Sequence, residues 1–150
     1  MAHARTGAYD RAELIGLVWK LVHDEVFDPA DFVLAGSARL LREGIVEHVS
    51  DIDVVARGAT LDRAFALSHD AGHGGLMVGE NTGDKIAQLY HGKINVSARW
   101  LDREESIDAL IEHAEVVDGL RYFRIADVIA YKRLLNRPKD RSDLAALASG

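Results

Sequence analysis

The chain of 150 residues, with 48% hydrophobic and 28% charged residues, has the composition of a globular protein, which excludes a disordered tail or a fibre. Its length predicts a single domain over residues 1–150. The absence of cysteine excludes disulfides, thiolate metal sites and cysteine nucleophiles. No uncharged stretch approaches the roughly 20 residues of a membrane span, and residues 1–7 lack the apolar region of a secretory signal. We therefore expect a cytoplasmic protein without a membrane partner.

The net charge of −6 is unevenly distributed along the chain. From Arg121 onward there are seven basic and three acidic residues, a net charge of +4, whereas the first 120 residues hold 11 basic and 21 acidic ones, a net charge of −10. This pattern lacks the broad basic face that generic duplex DNA binding requires. It suits a site in which carboxylates hold a cation and nearby basic groups hold phosphates, although charge runs are more often solvated faces.

The first half of the chain predicts alternating helices and strands. The expected elements are a helix opened by Asp10 with Glu13 and carrying the apolar stripe Leu14, Leu17, Val18, Leu21 and Val22, a buried strand Phe32–Ala35, a helix Ala38–Glu43 ended by Gly44, a strand Ile52–Ala56, and a helix from Thr60 to about Ala71.

The second half predicts a hairpin followed by helices. The expected elements are an apolar segment Leu76–Val78 in a glycine-rich loop, strands Lys85–Tyr90 and Lys93–Trp100 joined by His91-Gly92, a helix opened by Asp102 with Glu105 and ending near His113, a turn at Asp118-Gly119, and helices Ile125–Leu135 and Lys139–Ala148. This order predicts an α/β (α+β) fold with a mixed sheet flanked by helices and with helices at its C-terminal end.

The chemistry-bearing stretch runs from residue 32 to residue 55. A buried strand delivers Gly36 and Ser37 to the start of a helix, where free backbone N–H groups favour an anion and glycine permits close approach. On the next strand, Asp51 and Asp53 share one face because side chains alternate. Two such carboxylates can hold a divalent cation, and a phosphate cradle beside them is what metal-assisted nucleotidyl transfer requires.

Each half of this pattern also has a purely structural interpretation. Gly36 and Ser37 before a helix are often only a helix cap, and Asp51 with Asp53 on an edge strand is often solvated polar alternation. The correct order of strand, Gly-Ser, helix and carboxylate pair favours the functional interpretation.

Two segments together resemble the nucleotidyltransferase superfamily that includes DNA polymerase beta. The first is Leu34-Ala35-Gly36-Ser37, followed after residues 38–50 by Asp51-Ile52-Asp53, and the second joins Asp118-Gly119-Leu120-Arg121, Ala126-Asp127-Val128-Ile129-Ala130-Tyr131-Lys132 and Arg137-Pro138-Lys139-Asp140 with Asp143. The resemblance is closest to the small bacterial forms, which are the minimal, drug-modifying and abortive-infection-type nucleotidyltransferases. It is fairly specific for the fold and says little about the substrate.

The resemblance implies roles for individual residues. Gly36 and Ser37 would hold the terminal phosphates of a nucleotide, and Asp51 and Asp53 would bind Mg²⁺ (or Mn²⁺). The catalytic residues would be Asp51, Asp53 and Asn95. Arg39 and Lys132 are assigned to the same nucleotide site. Lys132 lies on the apolar stripe of its predicted helix, so it either extends past the core to solvent or reaches into a site, and the resemblance favours the site.

The chain departs from the family pattern at the third acid, where the expected strand carries Asn95. An amide can offer an oxygen to a metal but cannot accept a proton at neutral pH. The protein therefore uses another base, needs none because the acceptor is already acidic, or is a degraded enzyme. If His91-Gly92 is a two-residue turn, Gln88 lies opposite Asn95 and the face also carries Ser97 and Arg99.

These observations predict a magnesium-dependent nucleotidyltransferase. It would move a nucleoside monophosphate from an NTP (ATP or another) to a hydroxyl or phosphate of a small-molecule, RNA or protein acceptor. The alternative, favoured by Asn95, is a catalytically degraded binding or regulatory protein of toxin–antitoxin type. The acceptor stays open, as does completion of the cleft by a homodimer or a partner protein.

Overall fold

The structure, a computed structural model, describes residues 9–78, 84–100 and 106–149. Its helices are α1 (Arg11–Asp24), α2 (Ala38–Arg42), α3 (Gly58–Ser68), α4 (Ile107–Glu112), α5 (Ile125–Leu135) and α6 (Pro138–Ser149). Its strands are β1 (Tyr9–Asp10), β2 (Phe32–Ala35), β3 (His48–Val49), β4 (Ile52–Ala56), β5 (Gly75–Val78), β6 (Lys85–Leu89), β7 (Ile94–Ser97), β8 (Glu115–Val117) and β9 (Leu120–Tyr122). The described residues form a mixed α+β fold, as the sequence predicts.

Seven strands form one mixed sheet in the order β5-β6-β7-β4-β2-β9-β8. The central strand β4 pairs antiparallel with β2 and parallel with β7, and β2 pairs parallel with β9. The remaining neighbours are antiparallel. Because β4 is central, its polar residue Asp53 lies in the interior of the sheet and not on an edge strand.

Alternating side chains give the sheet two apolar faces. One face joins β2 and β4 to α1 and α3 through the buried residues Leu14, Val18, Leu21, Leu34, Ile52, Val54, Ala64 and Leu67. The other face joins the same strands to α4 and α5 through Val33, Ala35, Val55, Leu110, Ile111, Val128 and Tyr131. The sheet therefore lies between two helical layers, as its fully buried central strands require.

Capping residues in the sequence predicted the ends of several helices correctly. Asp10 caps α1 by accepting a hydrogen bond from the Glu13 N–H at 3.0 Å. Gly44 follows α2 with φ +75°, a backbone conformation that glycine adopts without strain. The predicted start of α4 at residues 102–105 lies outside the described residues; within them the helix begins at Ile107, capped by Ser106.

Other predicted boundaries are wrong. Helix α3 begins earlier, at Gly58, and ends earlier, at Ser68, where the Asp70 N–H bonds back to the Leu67 carbonyl and starts a turn. Strand β7 ends at Ser97 and not, as predicted from the sequence, at Trp100. The Ser97 hydroxyl donates to the Arg99 carbonyl, and the chain bends there.

The sequence also missed the pairing of β1 with β3 in a separate two-stranded sheet, since two-residue strands carry no periodicity. No helix among the described residues has the length and apolar composition that crossing a membrane would require.

Candidate active site

Asp51 directly precedes strand β4 and Asp53 lies within it, and the alternation of the chain places both on one face, as predicted. Ile52 and Val54 between and beside them are buried in the cluster under α1 and α3. Both aspartates are partly buried, and Asp53 pairs in register with Ala35 on β2 and with Asn95 on β7. The interpretation as solvated alternation on an edge strand is therefore wrong.

Gly36 brings the β2–α2 turn against this carboxylate face. Its φ is +60°, which side chains rarely adopt, and a Cβ there would lie 3.4 Å from Asp53 Oδ2 and 3.4 Å from Trp100 Cη2. Any larger side chain would occupy the space directly over the Asp53 carboxylate. Glycine thus satisfies both a backbone requirement and a close-approach requirement.

Ser37 points its hydroxyl at Lys132 and not at its own helix. Its side chain makes no capping hydrogen bond to α2, so the interpretation as a side-chain helix cap is wrong. Its Oγ accepts a hydrogen bond from Lys132 Nζ at 2.8 Å. A contact between residues so far apart in the chain ties the β2–α2 turn to α5.

Lys132 is fully buried, with 0% of its surface exposed, so the alternative in which it extends to solvent is wrong. Its Nζ lies 3.4 Å from Asp140 Oδ1 and 2.8 Å from Asp143 Oδ2 on α6. Arg137 also binds Asp140 through two guanidinium nitrogens, at 2.7 and 3.0 Å. Burial opposes ionisation of Asp140, but the Arg137 hydrogen bonds outweigh it and lower the pKa of this carboxyl.

Asn95 stands at the position where the sequence resemblance leads us to expect an acid. Its Nδ2 donates to Asp51 Oδ2 at 2.6 Å and to the Gly92 carbonyl at 2.9 Å. Both partners are acceptors, which fixes the orientation of the amide. Its Oδ1 is buried and has no hydrogen-bond partner among the described residues. The amide oxygen is therefore an unsatisfied buried acceptor on the residue that donates to Asp51.

The two carboxylates lack full charge compensation. Burial and the neighbouring Asp51 carboxylate raise the pKa of Asp53 to about 7. Burial also raises the pKa of Asp51, against hydrogen bonds from Ser50 and Asn95 that lower it. A cation bound between them would relieve this cost.

Three basic side chains act on the carboxylate pair from the C-terminal helices. The positive charges of Lys139, Arg137 and Lys132 all lower the pKa of Asp53, against the effect of burial. Lys132 and Arg137 are held by carboxylates, whereas Lys139 is exposed and forms no ion pair with any described residue. Lys139 is thus the basic group beside the pair that is available to an anionic ligand.

Arg39, predicted at the nucleotide site, lies elsewhere. Its guanidinium donates to the Phe123 carbonyl at 3.1 Å and pairs with Glu115 at 3.3 Å. Arg39 follows Ser37 by two positions, which corresponds to a rotation of about 200° around a helix. The side chains of Ser37 and Arg39 therefore face opposite sides of α2.

The other polar residues predicted on this face are also engaged elsewhere. Gln88 lies opposite Asn95 in register, as predicted, but its amide donates to Met77 Sδ. The turn that sets this register is longer than His91-Gly92, because Leu89 and Ile94 are its flanking pair. Arg99 forms a two-pronged ion pair with Asp84 at 2.9 Å.

Two aromatic residues at the site were missed from the sequence. Trp100 is buried in a core cluster, as predicted, where it packs edge-on against Phe123 and contacts Tyr131 with ring centroids 4.8 Å apart. Its close approach to the Gly36 turn was not predicted. Its Nε1 is buried without a partner among the described residues. Burial and the Asp53 charge raise the pKa of Tyr131 to about 12. The position of Tyr131 directly before Lys132, a predicted site residue, was the sequence feature that could have indicated its place at the site.

Comparison of the chain with protein-family models, with curated proteins and with solved structures finds no match.

Lys132→Ala should lower the free energy of unfolding by about 3–5 kcal/mol, because it leaves the buried Asp140 and the partly buried Asp143 with one cation fewer. Urea denaturation measures this loss. The matched control is Lys139→Ala, which removes an exposed, unpaired lysine and should change stability by less than about 0.5 kcal/mol. Equal losses in the two variants would contradict the buried network.

Asp53→Asn should stabilise the metal-free protein at pH 8 and have little effect at pH 4. The unfolded chain releases the Asp53 proton near pH 4, whereas the folded protein retains it up to about pH 7. The wild type therefore loses stability as pH rises through this window, and asparagine removes the loss.

Thermal unfolding in EDTA measures this difference, with a gain at pH 8 of roughly 2–4 °C per kcal/mol. Asp62→Asn, on the exposed side of α3, serves as the control. A stability difference between Asp53→Asn and wild type that does not change with pH would contradict the prediction.

Proposed function

We propose that the protein is a magnesium-dependent nucleotidyltransferase that moves a nucleoside monophosphate from an NTP to an acceptor. The observation that carries the proposal is the pair Asp51 and Asp53, undercompensated in charge and in contact with the open turn at Gly36. Basic side chains beside the pair supply the complementary charge for phosphates. The resemblance to the nucleotidyltransferase superfamily supports the same activity.

The residues at the pair fit a hard divalent cation. Carboxylate and amide oxygens are the ligands that Mg²⁺ and Mn²⁺ take, and the site offers Asp51, Asp53 and the unpartnered Oδ1 of Asn95. Among the described residues, no group of three or more His, Asp or Glu side chains could hold a metal. A metal with few protein ligands and open positions is suited to share its coordination with substrate phosphates.

The nucleotide would lie over Gly36, where the absence of a side chain admits a phosphate. Lys139 would contact its phosphates as an unpaired cation, and Lys132 would hold the Ser37 hydroxyl in a fixed position. The unpartnered Trp100 Nε1 offers a further donor.

In the proposed reaction an acceptor oxygen forms a bond to the α-phosphorus of the NTP, the bond from that phosphorus to the oxygen bridging to the β-phosphate breaks, and pyrophosphate leaves. The proton of a hydroxyl acceptor passes to solvent water. Mg²⁺ supplies charge neutralisation of the phosphates when it is bound. The carboxylates of Asp51 and Asp53 would be the ligands that hold this cation. Asn95 positions Asp51 and does not take the proton of the acceptor.

Asn95 favours a second candidate function, a nucleotide-binding regulatory protein without catalysis. The amide keeps a hydrogen bond to Asp51 and leaves an oxygen for a metal, so binding is compatible with its presence. The loss of a proton acceptor at that position affects only the chemical step.

Wild-type protein should bind an NTP in the presence of Mg²⁺ and lose at least about tenfold in affinity when EDTA replaces the metal or when Asp51 is changed to Asn. Isothermal titration calorimetry with ATP, GTP, CTP and UTP measures binding. Asp62→Asn, an aspartate removed on the outer surface of α3, should bind like the wild type. Failure of all four NTPs to bind would exclude both candidate functions.

Asn95→Asp separates the enzyme from the regulatory protein. In an enzyme that uses another base, pyrophosphate release by the wild type is measurable, and the variant alters it by less than about tenfold. In a degraded enzyme, release appears only in the variant, because general-base catalysis contributes about 10²–10⁴-fold. The assay is Mg²⁺-dependent pyrophosphate release over a panel of NTPs and acceptors. Binding of an NTP without release by the wild type would contradict the lead proposal.

A further inference from the structure

A cavity of about 350 Å³ lies between α1 and the β8–β9 hairpin. Leu120 and Tyr122 line it and belong to the same apolar cluster as Ile52 and Val54. Because Asp53 alternates with these two β4 residues, the cavity lies on the opposite face of the sheet from the carboxylate pair. Its volume is in the range of small-molecule sites.

One face of α1 forms a wall of the cavity. The residues that line it from this helix are Arg11, Ala12, Ile15, Gly16 and Trp19. Steric crowding does not require glycine at position 16, because a Cβ on Gly16 would have no atom within 4 Å. In a helix interior, glycine costs roughly 0.5–1 kcal/mol relative to alanine. Its effect here is to leave the cavity open where a side chain would fill it.

The hairpin turn forms the facing wall. Asp118 and Gly119 have φ values of 51° and 86°, which make the tight turn between β8 and β9. A Cβ on Gly119 would lie 3.1 Å from Trp19 Cη2, so the indole packs directly on the turn. The Trp19 ring is therefore held in place as an aromatic wall.

The polar groups in the cavity are matched to an anion. Arg42 is ion-paired with Asp118, whereas Arg11 uses one nitrogen to bind the Arg42 carbonyl at 3.1 Å and has no carboxylate partner among the described residues. A guanidinium carries five N–H donors, so Arg11 keeps donors for a ligand. The Tyr122 hydroxyl is protonated at neutral pH and adds a neutral donor to the lining of the cavity.

We propose that this cavity binds a small planar anion, with its ring against Trp19 and its acidic oxygens on Arg11 and the Tyr122 hydroxyl. An arginine fork suits a carboxylate and a phosphate equally, so an aromatic acid and a nucleoside monophosphate share the required chemistry. This site is independent of the proposed nucleotidyl transfer, because it uses none of the residues of the carboxylate face.

The test titrates the full chain, in EDTA, with benzoate and separately with AMP, using calorimetry and tryptophan fluorescence. We expect saturable binding of at least one probe with a change in tryptophan emission. Arg11→Ala should weaken that binding about tenfold, through loss of charge-assisted hydrogen bonds. Gly16→Leu should abolish it by filling the cavity, while leaving thermal stability equal or higher because leucine favours helix.

Two controls separate this site from the rest of the molecule. Arg63→Ala removes a surface arginine of α3 and should leave affinity within twofold of the wild type, as should Asp51→Asn on the other face. Benzoate binding alone identifies an aromatic acid, and AMP binding identifies a nucleotide. The proposal is overturned if neither probe saturates at millimolar concentration, if Arg11→Ala and Gly16→Leu both bind like the wild type, or if Asp51→Asn abolishes binding.

Discussion

The ammonium group of Lys132, fully buried among Ser37, Asp140 and Asp143, is the interaction on which the arrangement of the site depends. A charge removed from water is tolerated only when several partners meet it with good geometry. Those partners come from the β2–α2 turn and from α6, so the ammonium group fixes both against α5. The Gly36 turn thereby takes its position over β4 from a contact made at the far end of the chain.

Asp140 and Asp53 differ in how completely neighbouring cations compensate their negative charge. Asp140 receives hydrogen bonds from Arg137 and pairs with Lys132, and its pKa is lowered. Asp53 has a comparable set of cations in its surroundings but no direct bond from any of them among the described residues, and its pKa is raised to about 7. A fully compensated carboxylate stabilises the fold, whereas an undercompensated one beside an open turn is suited to a ligand.

Local sequence patterns predicted the elements that carry the site. A buried strand before Gly36, alternation around Ile52 and the hairpin register that sets Gln88 opposite Asn95 are short-range signals, and the structure agrees with each. Local sequence patterns do not determine the direction in which a side chain points from a short helix, nor the contacts between segments that are distant in the chain. Arg39 was therefore placed at the nucleotide site although it turns to Phe123, and the contact of Trp100 with the glycine turn was missed.

Asn95 has opposite consequences for binding and for catalysis. Burial raises the pKa of Asp51, and the amide, by donating to this carboxyl, opposes that rise and favours the ionised, cation-binding form. An ionised carboxylate at the same position would have no N–H to donate to Asp51, and it would add a like charge to a pair that is already undercompensated. In the proposed function, the amide would thus be compatible with a bound cation while offering no proton acceptor. Nucleotide affinity and nucleotidyl transfer would then be separable, and only the second would depend on where the acceptor's proton goes.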